Sequence, residues 1–498
     1  MDQDNFFKNS FLLTASNITT GILGFIFSIY LSKVLGPEGM GLYNLVMPIY
    51  NLFICLMSAG IVASISKISA VYAQKGEHNN IVKTIRIVAI FNVTWALFIG
   101  TIVFLCAPVI GRYGVNDVRT INAIRVICPA MICIAISNIF KGYFYGTSKI
   151  TVPAIIDICE KAMRVVTVSL LIFLCQAHTL EGMVTLATVS LCIGEFQSLF
   201  FLYIYYRYSI KKMPPSFEKP ESAYQLLFDV VVISIPLCLN GFLTNIIGTL
   251  ATLVVPRRLI VAGFDYSQAL SMIGKYNGMA MCIITIPMIV VSTINTLLIP
   301  DLSQSLNQGK EYEASLRIRK VIKLAFLLGL STTIICNVVP VELGRMFFGR
   351  DDLGNYIRFS SFSAPIIFTS LTMFGILNGL NRQSIILRNS LIEALVELIC
   401  LYVFTSIHSI NIFGYSITMC IACSISLLLN LHEVNKNINI NLNEYNILIY
   451  ILLSILVFIS VSIISKFFSG HFPTGNNFIV IIVTFLIFIY LGGFGETE

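Results

Sequence analysis

The sequence predicts an all-α, polytopic membrane protein of about 14 transmembrane helices, in which two parallel six-helix repeats are followed by two further helices. Three observations indicate this fold class. The chain of 498 residues is 56% hydrophobic and only 11% charged, with a mean hydropathy of +0.86. Apolar runs long enough to cross about 30 Å of hydrocarbon recur from end to end. Residues of the first half also return in the second half at a constant spacing of 233 positions.

Polar turns divide the chain into fourteen candidate spans. They begin near residues 11, 43, 83, 120, 150, 182, 224, 267, 320, 356, 385, 411, 445 and 476. The first span follows a short polar head and has no small-residue cleavage site after it, so we expect it to be retained.

Lysines and arginines are distributed unevenly between alternate loops. If both termini are cytoplasmic, the inward segments carry more of these residues than the outward ones, and Lys211, Lys212 and Lys219 cluster in one inward loop. The positive-inside rule therefore predicts a multi-pass protein of the cytoplasmic membrane with both termini inside. The net charge of +7 follows from this topology and gives no support for nucleic-acid binding.

Cofactor and metal motifs are missing from the sequence. The 13 cysteines lie mostly inside apolar spans, and Cys420-x-x-Cys423 has no second ligand pair, so we interpret them as packing residues. No G-x-x-x-x-G-K-[ST] phosphate loop occurs. We therefore predict no cofactor, no metal site and no enzymatic activity.

The stretch "LGPEGMGLYNLVMPIYN" (35–51) introduces the repeat. Five of the eight glycines between residues 41 and 160 meet another glycine 233 positions later. In the motif itself the matched pairs are Gly41 with Gly274, Tyr43 with Tyr276, and Asn44 with Asn277. The offset covers six spans, an even number, so both halves have one orientation. We expect the motif to form a sharp turn in each half.

The repeat predicts four segments. They are an N-terminal six-helix bundle (1–206), a basic, proline-containing cytoplasmic linker (207–222), a C-terminal six-helix bundle (223–440) and an extra helix pair (441–498).

Ionisable residues lie inside two repeat-related spans. Span 5 carries Asp157, Glu160, Lys161 and Arg164 at a spacing that places all four on one helical face. Its repeat partner, span 11, carries Glu393 and Glu397. The charges of span 5 could neutralise one another within the helix, or they could form a polar stripe on a central cavity. Polar faces on two equivalent helices favour the cavity, since intramembrane charges usually face one.

Four further cations are candidates for this cavity: Lys67, Lys275, and the repeat mates Arg125 and Arg358. Each could instead extend its charged end to the membrane interface. A cavity lined by them, together with Lys161 and Arg164, would attract an anionic, phosphate-bearing lipid. A cavity for cationic drugs would need unpaired carboxylates and aromatic residues. The carboxylates of Asp157, Glu160, Glu393 and Glu397 are candidates for a coupling ion, H⁺ or Na⁺.

Four stretches carry a family resemblance. "LSKVLGPEGMGLYNLVMPIYNLF", "SISKISAVYAQKGE", "VVPRRLIVAGF" and "IGKYNGMAMCIITIPMIVVSTINTLLIPDLSQSLNQG" resemble the multidrug/oligosaccharidyl-lipid/polysaccharide superfamily of flippases, in its polysaccharide-export branch. With the repeat and the span count, the resemblance covers nearly the whole chain.

The resemblance implies two six-span bundles that form a V-shaped central cavity and work by alternating access. It also implies a lipid-linked saccharide of the polyprenyl-pyrophosphate type as cargo, for cell-wall or spore-cortex peptidoglycan. Spans 13 and 14, from about Asn446 to Leu491, would form a groove for the lipid tail, as in related lipid II flippases. Those flippases use arginines in spans 1, 2 and 8, whereas span 8 here offers only Lys275. An ion-coupled multidrug exporter and a non-transporting scaffold for wall synthesis are the alternatives.

Overall fold

The computed structural model describes residues 3–176, 179–213, 221–438, 444–471 and 476–493. Across these ranges the secondary structure is helical and contains no β-strand, as predicted. The chain divides into two compact units, Met1–Leu253 and Val254–Glu498. Residues 214–220 of the predicted cytoplasmic linker, and the predicted boundary between residues 440 and 441, lie outside the described residues.

The N-terminal unit is built around one central helix. Its helices are α1 (Gln3–Ser58), α2 (Ile61–Lys75), α3 (His78–Val109), a π-helix (Ile110–Val115), a 3₁₀-helix (Val118–Thr120), α4 (Ile121–Gly146), α5 (Thr151–Cys175), α6 (Leu180–Lys211) and the first part of α7 (Ala223–Val261). Helix α4 packs on α1, α2, α3 and α6, while α5 packs on α1 and α6. Ile124, Ile127 and Tyr143 of α4 are fully buried, so apolar contacts on several sides hold this helix in the middle.

The C-terminal unit repeats this plan around α14. Its helices are α8 (Tyr266–Ile273), a π-helix (Gly274–Ala280), α9 (Met281–Thr285), α10 (Met288–Asn307), α11 (Glu311–Val338), α12 (Pro340–Phe348), α13 (Gly354–Ser361), α14 (Ala364–Gly379), α15 (Gln383–Phe404), a 3₁₀-helix (Asn411–Phe413), α16 (Gly414–Asn437), α17 (Glu444–His471) and α18 (Asn476–Gly493). Helix α14 packs on α10, α11 and α16, as α4 packs on α2, α3 and α6. The last two helices, α17 and α18, pack on each other and on α11.

Left-handed turns recur at the predicted offset. Asn116 and Gly349, which are 233 positions apart, have φ angles of 64° and 68°. Ser148 and Asn381, separated by the same number, have φ angles of 58° and 57°. Residues other than glycine seldom adopt this conformation. Its occurrence at matched positions confirms that the sequence repeat is a structural repeat.

Close helix contacts recur at the same offset. A Cβ atom added to Gly142 of α4 would lie 3.0 Å from the backbone oxygen of Val62 on α2. In the C-terminal unit, a Cβ atom added to Gly375 of α14 would lie 2.7 Å from Oδ1 of Asn295 on α10. Val62 and Asn295 are themselves 233 positions apart. These repeated glycines therefore mark places where two helices approach each other closely.

The opening motif forms a break in one unit only. In the N-terminal unit the break is at Gly36, whose φ of 65° and ψ of −177° interrupt α1. Its repeat mate is Ala269, which continues α8. The prediction of a turn in both halves was therefore wrong, because a residue with a Cβ atom does not readily adopt the conformation of Gly36. Gly274, Tyr276 and Asn277 lie instead in the π-helix.

Eight helices of the described residues are long and apolar enough to cross a membrane, or up to ten if each of two bent pairs counts as one span. The first of these, Leu12–Lys75, is 64 residues long, about three times the length that one crossing needs. The protein is thus a multi-pass membrane protein, while the number of fourteen crossings remains a prediction.

Candidate functional site

The charged residues of α5 are paired inside the N-terminal unit. Glu160 is 3% exposed, and its Oε1 accepts a hydrogen bond of 2.5 Å from Nη2 of Arg164, one turn further along the helix. The same Nη2 lies 3.2 Å from Oε1 of Glu195 on α6. Lys161 Nζ lies 3.1 Å from Oε2 of Glu160. Tyr50 of α1 donates a hydrogen bond of 3.4 Å to the Glu195 carboxylate. Two carboxylates and two cations therefore neutralise one another here.

The remaining acid of the α5 stripe also has a partner. Asp157 Oδ1 lies 2.7 Å from Nζ of Lys141 on α4. Neither Lys141 nor Glu195 was predicted as a partner, because helical periodicity identifies neighbours within one helix and not across a helix interface. A basic residue on α4 and an acidic residue on α6, both inside apolar spans, were the available signals. The charges of the stripe are therefore neutralised partly within α5 and partly by Lys141 of α4 and Glu195 of α6.

The acids of α15 have a different environment. Glu393 Oε1 accepts a long hydrogen bond of 3.6 Å from the Cys423 thiol of α16. Among the described residues, no salt bridge reaches Glu393 or Glu397. The repeat explains the contrast, because Arg164 of α5 corresponds to Glu397 and Lys161 corresponds to Ala394. One position thus carries a cation in the first unit and an acid in the second.

Three of the predicted substrate-binding cations lie at exposed positions. They are Lys67 on α2, Arg125 on α4 and Arg358 on α13. The Arg125 guanidinium lies 5.7 Å from the centroid of the Phe104 ring. None of the three makes a salt bridge to another described residue. Their ends are therefore available to an anion or to lipid headgroups.

Lys275 lies on the π-helix and is held by an acid that sequence reasoning missed. Its Nζ lies 2.8 Å from Oδ2 of Asp352, in the turn before α13, and 5.8 Å from the centroid of the Tyr356 ring. Arg350 donates two hydrogen bonds of 2.8 Å to the same carboxylate. Arg350 and then Lys275 hold the pKa of Asp352 well below its usual range. The contact joins residues 77 positions apart, so no local pattern indicates it.

The two units therefore have different chemical capacities. The α5 cluster, formed by Glu160, Lys161, Arg164 and Glu195, is balanced in charge. It can therefore hold α5 against α6, but both of its cations are already neutralised. Among the described residues no cation forms a salt bridge with the α15 acids, which leaves their carboxylates without an ionic partner there. Within the part of the chain that the structure describes, no group of three or more His, Cys, Asp and Glu residues could hold a metal ion.

Known proteins resemble this chain over most of its length. Stage V sporulation protein B of Bacillus subtilis (strain 168) is 26% identical over 439 residues, which cover 88% of this chain and 85% of that protein. Lipid II flippase MurJ of the same organism is 22% identical over 415 residues, which cover 79% and 76%.

Solved structures share the fold. Lipid II flippase MurJ in an inward closed conformation aligns with a TM-score of 0.72 at 13% identity, over 97% of this chain and 98% of that one. An inward-facing multidrug resistance MATE family transporter of the MOP superfamily aligns with a TM-score of 0.67 at 12% identity, over 86% and 98%. These similar proteins are flippases and transporters, not enzymes.

A family described as "Polysaccharide biosynthesis protein" matches residues 6–306. The match contains the opening motif, the whole α5 cluster and Lys275. Because it spans more than half of the chain, this multi-pass membrane protein belongs to the polysaccharide biosynthesis protein family.

Proposed function

We propose that this protein is a flippase that moves a lipid-linked saccharide across the cytoplasmic membrane by alternating access. The cargo would be a cell-wall or spore-cortex peptidoglycan precursor of the polyprenyl-pyrophosphate type. The observation that carries the proposal is the pair of repeat-related helices, α5 and α15, which carry ionisable residues inside a chain built of apolar helices. Such residues are expensive in a membrane and usually have a transport role.

The headgroup would bind two kinds of cation: those that pair with no acid among the described residues, and one whose acid partner a phosphate could replace. In the N-terminal unit these are Lys67 and Arg125, and in the C-terminal unit they are Arg358 and Lys275. Lys161 and Arg164 are already bound to carboxylates, so they would take part only if a headgroup phosphate replaced an acid. Charge-assisted hydrogen bonds to phosphate are among the stronger polar contacts in proteins, which favours this chemistry.

The coupling ion would bind to the acids of α15. Glu393 and Glu397 are not neutralised by a described cation, whereas Glu160 and Asp157 are ion-paired. Uptake of a proton or Na⁺ by the α15 acids would remove an uncompensated charge from the membrane interior. We therefore assign coupling to Glu393 and Glu397 before Glu160 and Asp157.

The test is translocation in sealed vesicles. The full chain is reconstituted with a fluorescent polyprenyl-pyrophosphoryl disaccharide, and a membrane-impermeant quencher reports the fraction left in the outer leaflet. We expect faster exchange than in protein-free vesicles, together with a dependence on an imposed H⁺ or Na⁺ gradient. Exchange that equals the protein-free rate, with and without a gradient, would remove lipid-linked saccharides from consideration.

A second candidate is an ion-coupled multidrug exporter. The specific observation in its favour is the unpaired acid pair of α15, because a cavity for cationic drugs needs unpaired carboxylates. The same vesicles are therefore loaded with ethidium. Gradient-driven ethidium movement without saccharide movement would favour the exporter, and failure of both assays would favour a scaffold for wall synthesis.

A further inference from the structure

An ionic cluster on the C-terminal unit combines three side chains. Asp352 Oδ2 is shared by Lys275 Nζ and Arg350 Nη2, each at 2.8 Å, while Oδ1 receives only the Arg350 Nε, also at 2.8 Å. The Asp352 side chain is 41% exposed, so water and solutes can reach it. Asp352 could therefore keep its paired hydrogen bonds to Arg350 after releasing Lys275.

The N-terminal unit contains the same cluster with its charges exchanged. At the repeat position of Arg350 stands Asp117, and at that of Asp352 stands Arg119. Arg119 makes a forked contact with Asp117, with Nη2 at 2.8 Å from Oδ2. Its third partner is Glu38 of α1, whose Oε1 lies 2.9 Å from Nη1 of Arg119.

The exchange changes the formal charge of the cluster. Two acids and one arginine in the N-terminal unit leave one negative charge over. Two cations and one acid in the C-terminal unit leave one positive charge over. An anion would therefore offset the excess positive charge of the second cluster, formed by Lys275, Arg350 and Asp352, but would add to the excess negative charge of the first.

The backbone at Lys275 also differs from the N-terminal unit. Lys275 belongs to a π-helix, whereas its repeat position, Leu42, lies in the regular α-helix α1. Short π-helical segments inside α-helices occur frequently at functional sites. The Lys275 side chain is 20% exposed, and its Nζ lies between the Asp352 carboxylate at 2.8 Å and the Tyr356 ring at 5.8 Å.

We propose that the Asp352 carboxylate is an internal stand-in for the phosphate of the cargo headgroup. It pairs with Lys275 when no cargo is bound. When the headgroup binds Lys275, Asp352 releases Lys275 and stays paired with Arg350. The inference rests on the proposed function and adds to it Asp352 and Arg350 as positioning residues. A stand-in lowers apparent affinity, because the headgroup binds only the fraction of molecules in which Lys275 is free. It also prevents Lys275 from capturing unrelated anions permanently.

The experiment measures binding of farnesyl diphosphate to the detergent-purified full chain. Asp352→Asn should tighten the apparent Kd on the order of tenfold if Lys275 is free about one-tenth of the time. Lys275→Gln should weaken binding, and adding Asp352→Asn to Lys275→Gln should then change nothing. Arg350→Gln should weaken binding, because Asp352 then pairs with Lys275 alone. The double variant Arg350→Gln/Asp352→Asn should bind like Asp352→Asn alone.

The matched control is Asp117→Asn, which breaks the equivalent cluster of the N-terminal unit and should leave the apparent Kd within about twofold of wild type. Asp352→Ser is measured in parallel, so that the result does not depend on one variant folding. Unchanged or weaker binding in both Asp352 variants, with Lys275→Gln still impaired, would overturn the stand-in and leave the flippase proposal intact. Unchanged binding in Lys275→Gln would instead remove Lys275 from headgroup binding and overturn both assignments.

Discussion

Gly146, at the end of α4, lies so close to Ser66 of α2 that a Cβ atom added to it would be 2.4 Å from the Ser66 carbonyl oxygen. Real Cβ atoms do not approach backbone oxygens so closely, so Gly146→Ala must push α4 and α2 apart. We expect a loss of about 1–3 kcal/mol in stability. The measurement is thermal unfolding in detergent, followed with a thiol-reactive dye, since the protein has buried free cysteines such as Cys128 and Cys336.

Two control variants accompany this prediction. Gly379→Ala changes the repeat mate, where the nearest neighbour of the added Cβ atom is the Leu302 Cβ at 3.0 Å, so the loss should be smaller. Gly24→Ala adds a Cβ atom that meets nothing within 4 Å, and it should be neutral or slightly stabilising. Equal stability of all three variants would contradict the close approach of α2 and α4.

Removing the charge of Arg164 should destabilise the fold before it affects transport. Arg164→Gln leaves Glu160 and Glu195, both buried, without the guanidinium that bridges them. Breaking a buried ion pair in this way costs about 3–5 kcal/mol. Adding Glu195→Gln should restore part of the loss, because it removes the acid that paired with Arg164, while Glu160 keeps its ion pair with Lys161.

Thermal unfolding and vesicle translocation of the two variants separate structure from function. If Arg164→Gln unfolds at the wild-type temperature yet transports nothing, Arg164 serves the headgroup and not the α5–α6 interface.

Neutralising Glu393 should uncouple transport from its gradient. Glu393→Gln removes the ionisable group, while Glu393→Asp keeps it, so the Gln variant should be far more impaired in gradient-driven exchange. Moving one charge through 100 mV is worth about 2.3 kcal/mol, roughly a fiftyfold concentration ratio. This ratio is the largest loss of gradient-driven accumulation that we expect from removing one coupling charge. Glu160→Gln serves as the comparison and should act through stability instead. Full gradient dependence of Glu393→Gln would remove this residue from coupling.

The contribution of Asp352 to stability should be insensitive to pH in the physiological range. Arg350 and Lys275 lower the pKa of this carboxyl in the folded protein. A lowered pKa means that the stabilisation is complete above the unfolded pKa, near 3.9, and is lost only as the pH falls towards the folded pKa.

The difference in unfolding temperature between wild type and Asp352→Asn should accordingly stay constant from about pH 7 to pH 5 and narrow only in stronger acid. A difference that disappears between pH 7 and pH 6 would show that another group controls the cluster.

The sequence predicted the repeat because its glycines have a steric role. Gly142 and Gly375 sit where two helices almost touch, so each half needs a residue without a side chain at the same place. The left-handed turn at Gly349 imposes a similar requirement, which Asn116 meets in the other unit. Steric requirements of this kind restrict which residue can occupy a position, so they can be recognised in the sequence.

Polar contacts between different helices could not be recognised in the sequence in the same way. The spacing of Glu160 and Arg164 showed that they share a helical face, but nothing indicated that Glu195 of α6 approaches that face. The same holds for Lys275 and Asp352. Hydrophobic periodicity identifies which face of a helix is apolar, whereas the partner of a polar residue depends on helix rotation and packing. The turn at Gly36 could not be transferred to the second half for a simpler reason, since one residue differs.

The matched left-handed turns also bear on the ancestry of the chain. Conformations that most residues avoid are unlikely to arise independently at one offset, so the two halves descend from a duplicated unit. A duplicate that worked as a symmetric pair would have carried one face twice, with either Arg164 or Glu397 in both copies. The opposite charges at this position, and the exchanged Asp117–Arg119 and Arg350–Asp352 pairs, show that the two copies no longer present the same face. At the position of Arg164 and Glu397, the first half has ion-paired charges and the second half has acids, so the two copies can take different tasks.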